Sequence, residues 1–187
     1  MTELRGVGHD VFLIGVRNDT PTSKVHGGSA GIFEREGLAF AALTELGYNG
    51  DVVSLPRVFV DSLLDNYGPD AILVGCSADE TGEHIGIEEA LVQAGSDRSI
   101  RTVQVVESWG AWFPRKRPVM ADVFAAADMF TDKVLRSRGV PEERIVTTGH
   151  PGLDRYAGNT KVRRDDERQH LGIGDARVLV YFGQRAD

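Results

Sequence analysis

Short apolar runs alternate along this chain with stretches whose apolar residues recur at helical spacing. DVFLIGV (10–16) reads as a short strand and GLAFAAL (37–43) as a weaker one, with the polar, glycine-rich SKVHGGSAG between them. LPRVFVDSLLDNYG (55–68) spaces its apolar residues as a helix does and stops at a glycine. AILVG (71–75) is wholly apolar, which predicts a strand covered on both faces. HIGIEEALVQAG (84–95) predicts a helix ending at Gly95, and RTVQVVES (101–108) a strand. DVFAAADMFTD (122–132) reads as a helical turn running into a short strand, and KVLRSRG (133–139) as a helix ending at Gly139. RIVTTG (144–149) is a further strand. TKVRRDDERQHLG (160–172) is a charged amphipathic helix, and RVLVYFG (177–183) a last strand.

Strands alternating with helices predict βαβ units and a parallel sheet, hence an α/β, Rossmann-like doubly wound fold. Right-handed crossovers then place helices on both faces. In such sheets ligands bind beyond the carboxyl ends of the strands. The residues that matter are therefore Cys76 to Glu80, Glu107 to Trp109, Asp132, Gly149 to Pro151, and Gly183 to Arg185.

Composition narrows the function. The 187 residues are 41% hydrophobic and 26% charged, ordinary for a globular protein. A net charge of −7 argues against a general nucleic-acid-binding role, since phosphate contacts need a basic face. The single cysteine, Cys76, cannot form an internal disulfide, which fits a reducing cytoplasm. No apolar run reaches the ~18 residues of a membrane span, and MTELRGVGHD has no signal-peptide core. Neither G-x-G-x-x-G nor a P-loop occurs, which ranks a different doubly wound nucleotide-binding domain lowest. No cofactor is expected.

Three clusters carry candidate chemistry. SADETGEH (77–84) gathers Ser77, Asp79, Glu83 and His84 after an apolar strand. Carboxylates and a histidine at that rim suit acid–base catalysis. Helix capping and a first-turn acid explain the same residues equally simply. No metal is expected, because Glu83-His84 lacks further ligands at helical spacing. ESWGAWFPRKRP (107–118) holds Glu107, both tryptophans, Trp109 and Trp112, and Arg115 in a basic triplet. Its rings could stack on a sugar and its arginine meet a phosphate, or the rings could pin a loop from the core. His150 could act as a base or contact a phosphate at a domain junction. Alternatively, Gly149-His150-Pro151 simply turns the chain, with Asp154 favourable beside a helix N-terminus.

VTTGHPGLDRY (146–156), preceded by GVPEERI, resembles the turn that ends the first domain of GT-B glycosyltransferases and of the related UDP-N-acetylglucosamine 2-epimerases. The likeness falls on Gly149, Pro151 and Asp154. RVLVYFGQ (177–184) resembles the first strand of the second domain, and LRGVGHDVFLIG (4–15) the join between the first helix and second strand. The likeness spans most of the chain and is firmest over 133–184. It implies an N-terminal Rossmann-like domain over 1–156 lacking its first strand, a linker helix over 157–175, and the start of a second domain over 176–187. It also implies a chain cut at both ends, from which no autonomous catalysis is expected. Expected partners are a nucleotide sugar and an acceptor, with a second chain or another copy completing the site. Gly183, Gln184 and Arg185 would meet the nucleotide, while Ser77, Glu107, Trp109, Trp112, Arg115, Gly149 and Asp154 would bind substrate. Asp79, Glu83, His84 and His150 would supply catalysis. A glycosyltransferase half that binds the acceptor is the leading expectation, because the aromatics and basic triplet suit an acceptor. A 2-epimerase-like fragment and a non-catalytic module paired with a separate nucleotide-binding chain stand beside it.

Overall fold

The computed structural model describes residues 8–16, 29–50, 55–76, 86–107, 112, 119–150, 153, 168–170 and 172. The chain divides into two compact units, Met1–Gly149 and His150–Asp187. Among the described residues, the first contains β1 (Ile14–Gly15), α1 (Ser29–Arg35) and β2 (Ala41–Ala42). It continues with α2 (Arg57–Tyr67), β3 (Ala71–Val74), α3 (Ile87–Asp97) and β4 (Arg101–Val106). β5 (Val123–Ala126), α4 (Met129–Ser137), a 3-10 turn (Glu142–Arg144) and β6 (Ile145–Thr147) follow. Strands β3–β4–β5–β6 form a four-stranded sheet in sequential order, every pair parallel, and β1 and β2 form a separate parallel pair. This is the Rossmann-like α/β architecture the alternation predicts.

Register follows from side-chain alternation. Val74 pairs with Gln104, and Gln104 with Phe124, so these side chains share one face. That face is buried: Ile72, Val74, Thr102, Gln104, Val106, Phe124 and Ala126 all lie on it. α3 packs on β3 and β4, and α4 on β5 and β6. Val60, Val92 and Leu135 join this core, each side chain worth about 1.5–3 kcal/mol on burial. The opposite face is more open. Leu73 is 56% exposed and Val146 49%, with Val103, Val105, Val123 and Ala125 half-buried between them. So the AILVG strand is buried on alternate residues only, not on both faces as its composition suggests. Among the described residues it is an outer strand of the four, and its Leu73 side chain is largely exposed.

Two glycines read alike in sequence behave differently. Gly68 ends α2 in the left-handed region, at φ 50°, and its N–H donates to the Leu64 carbonyl. Gly95 does not end α3, which runs on to Asp97. A Cβ there would stand 2.8 Å from Thr102 Cγ2 and 2.9 Å from Ile72 Cδ1. The missing side chain lets the helix lie against the sheet. DVFAAADMFTD also differs from expectation, being a strand followed by a helix start rather than the reverse. Asp128 caps α4, its carboxylate accepting the Thr131 N–H at 2.7 Å. Asp122 and Thr102 clasp the starts of β5 and β4. The Asp122 carboxylate accepts from Thr102 N–H and Oγ1, at 2.8 and 3.0 Å, while Asp122 N–H donates to Thr102 Oγ1.

Candidate functional site

The carboxyl ends of β3 and β4 and the first turn of α3 bring four reactive side chains together. Gly75 and Cys76 follow β3, Glu107 follows β4, and Glu88 and Glu89 stand in the first turn of α3. The helix N-terminus favours those acids through its unpaired N–H groups and dipole. Burial pushes the Cys76 thiol up to about 12, with further pushes from the carboxylates of Glu88, Glu107 and Glu89 in that order. Cys76 is therefore a neutral thiol at physiological pH, a poor nucleophile and a sensor of surrounding negative charge. Glu88 Oε2 is buried with no hydrogen-bond donor among the described residues. A buried acceptor in that condition is costly and is relieved by an incoming hydroxyl or cation.

Gln104 supports the rim from below. It is 3% exposed on β4, and its Nε2 donates to the Gly75 carbonyl at 3.2 Å. Among the described residues no group of three or more His, Cys, Asp and Glu is disposed to hold a metal ion. No helix among them is long and apolar enough to cross a membrane.

Four of the sequence-predicted site residues fall within the described part. Glu107 is exposed at the rim, where the strand order predicted it. Trp112 is 5% exposed, its ring edge-on to Phe124 at 5.3 Å and 79°. Its carbonyl accepts from the Arg138 guanidinium. A ring so enclosed has no open face for stacking on a sugar, and of the two readings of the tryptophan loop it serves the core. Gly149 ends the first unit at φ +89°, a conformation that favours glycine. His150 opens the second unit, half-buried, its carbonyl accepting the Leu153 N–H. Ser77, Asp79, Glu83, His84, Trp109, Arg115, Asp154, Gly183, Gln184 and Arg185 lie outside the described residues.

The sequence reading singled out Cys76 only as a rim position and passed over Glu88, Glu89 and Gln104. Acids in the first turn of a helix look like ordinary dipole partners. The signal that marks these two is their position, opening the helix that follows a strand's carboxyl end.

A parallel sheet with helices packed on it and a carboxyl-end rim define a Rossmann-like α/β protein. Solved structures similar to it include the UDP-GlcNAc 2-epimerase from Methanocaldococcus jannaschii, at 14% identity and a TM-score of 0.44, over 86% of this chain and 51% of that one. The UDP-N-acetylglucosamine 2-epimerase from Rickettsia bellii is similar at 16% identity and a TM-score of 0.43, over 88% and 52%. The UDP-GlcNAc 2-epimerase from Neisseria meningitidis, bound to UDP-GlcNAc, follows at 13% and 0.39, over 87% and 53%. The chain spans about half the length of each. No protein-family model matches it, and no curated protein sequence does.

Proposed function

We propose that the rim binds the hydroxyl-bearing part of a sugar substrate, as the acceptor-side half of a GT-B glycosyltransferase that uses a nucleotide-activated sugar. The observation that carries this reading is the buried Glu88 Oε2, without a donor among the described residues, at the carboxyl end of a parallel sheet. Sugar hydroxyls are donors and satisfy such an oxygen, whereas a phosphate would be repelled by the carboxylates of Glu88, Glu89 and Glu107. The nucleotide then belongs on the second half, where the resemblance puts Gly183, Gln184 and Arg185. A rim carboxylate is also the group type that takes a proton from an attacking hydroxyl.

The second reading, a 2-epimerase-like fragment, gains from Trp112. Its burial removes one of the two aromatics that favoured an acceptor site, while carboxylates suited to proton abstraction remain. Saturation-transfer NMR with UDP-GlcNAc tests the shared part. Transfer should fall mainly on sugar-ring protons and weaken in Glu88→Gln. Transfer confined to the uridine, or no transfer at all, overturns the rim assignment. With a second chain supplying the nucleotide-binding half, transfer of the sugar to an added acceptor favours the first reading, and isomerisation at the sugar without an acceptor favours the second.

A further inference from the structure

We propose that Gln104 is a positioning residue that latches the exit of β3, holding Gly75 and Cys76 in place beneath the rim. The inference rests on the rim reading only for its importance, because the latch itself stands on geometry. Gln104 pairs with Val74 in the sheet and projects onto the buried face, where its neighbours are Val74, Val106 and Phe124. A polar amide is expensive there unless its donors are met. It reaches one residue past its own pairing partner and donates to the Gly75 carbonyl across the strands. That carbonyl immediately precedes Cys76, from which the chain continues into the segment bearing Ser77, Asp79, Glu83 and His84. An apolar residue of the same size would fill the space on β4, but could not hold the neighbouring strand's exit. The amide thus ties the exit of β3 to β4, the strand that Glu107 follows, beside the Cys76 on which the Glu88 carboxylate acts.

Cys76 gives the latch a reporter, since it is the only cysteine in the chain and its thiol is sheltered. Alkylation of the ligand-free protein by N-ethylmaleimide, followed across low urea concentrations, separates two kinds of opening. Release of the β3 exit exposes little surface and depends weakly on urea, whereas global unfolding depends steeply. In Gln104→Met the reaction should accelerate roughly five- to tenfold, the scale of one lost hydrogen bond, with weak urea dependence. Leu135→Ala, which loosens the core at a distance from the latch, should accelerate it only along the steep limb. The proposal fails if Gln104→Met leaves the rate unchanged, or raises it only along that limb. In the wild-type protein, slow heavy-water exchange of a Gln104 side-chain amide proton is also expected. Exchange as fast as that of an exposed glutamine would overturn the latch even if the variant did not fold. Because no ligand is present, a failure of UDP-GlcNAc binding would sink the rim reading and leave this result standing.

Discussion

Helix α3 has two unlike ends. At its C-terminal end the charges are matched. Asp97 accepts from Arg57 at 2.5 Å and from Gln93 at 2.9 Å. Arg98 donates to Asp65 and Asp61, at 2.6 and 3.1 Å. Gly95 seats this end directly on Thr102 and Ile72. At the N-terminal end Glu88 and Glu89 add charge beside Glu107, and no side chain caps the helix at Gly86. One end is finished by the protein itself. The other keeps a buried oxygen that the described residues leave unsatisfied. At the C-terminal end the charges are paired with neighbouring side chains, whereas the acids of the N-terminal end gather at a strand's carboxyl end, around Cys76.

Four substitutions break or sharpen this contrast. The largest effect is expected for Trp112→Ala, which should cost about 3–5 kcal/mol because the indole is core rather than rim. Urea denaturation measures it. A stable variant with altered sugar binding would instead return Trp112 to the site. Gly95→Ala should cost about 1–2 kcal/mol, since overpacking against Thr102 exceeds the roughly 1 kcal/mol gain in helix propensity. A more stable protein would show that the matched end is loosely seated.

The N-terminal end is tested by pH. The folded Cys76 thiol titrates near 12, above its ordinary value, so its contribution is present below pH ~9 and is lost as pH rises. Wild type should lose roughly 1 kcal/mol per pH unit more than Cys76→Ser between pH ~9 and ~11. Parallel stability curves would mean that the thiol feels neither burial nor the carboxylates. The smallest effect belongs to Arg57→Ala, because its pairs are exposed and screened. Melting should be near wild type at physiological salt and slightly lower at low salt. Arg57, then Gln93, hold Asp97 below the usual carboxylate range. That contribution is therefore present above the ordinary carboxylate value of about 4 and is lost as pH falls through the depressed one. The acid limb of the melting curve should flatten in the variant.

Much of the fold was legible because period and punctuation agreed. In α2 the apolar spacing and Gly68 point to one helix with one end, and that is what forms. Gly95 was misread because a glycine at a helix end and a glycine under a helix look identical in one dimension. Only the approach of Thr102 and Ile72 distinguishes them. The order of β5 and α4 was inverted because Ala-rich VFAA suits either state, although Asp128 three residues before Thr131 is a cap signal that settles it. Of the site, the rim positions Cys76 and Glu107 followed from strand order alone. Glu88 did not, because its position opening a helix after a strand is also that of an ordinary dipole partner, and only the fold shuts its oxygen away from solvent. Gln104 sits in an alternating strand pattern that its neighbours fully explain.

The seat at Gly95 makes α3 a lever. Glu88 lies seven residues away, about 10.5 Å along the helix axis at 1.5 Å per residue. A tilt of about 10° around that seat would carry Glu88 roughly 2 Å while leaving the Thr102 contact almost still. Motion at the rim can thus be large where the carboxylates gather and small where the sheet is gripped.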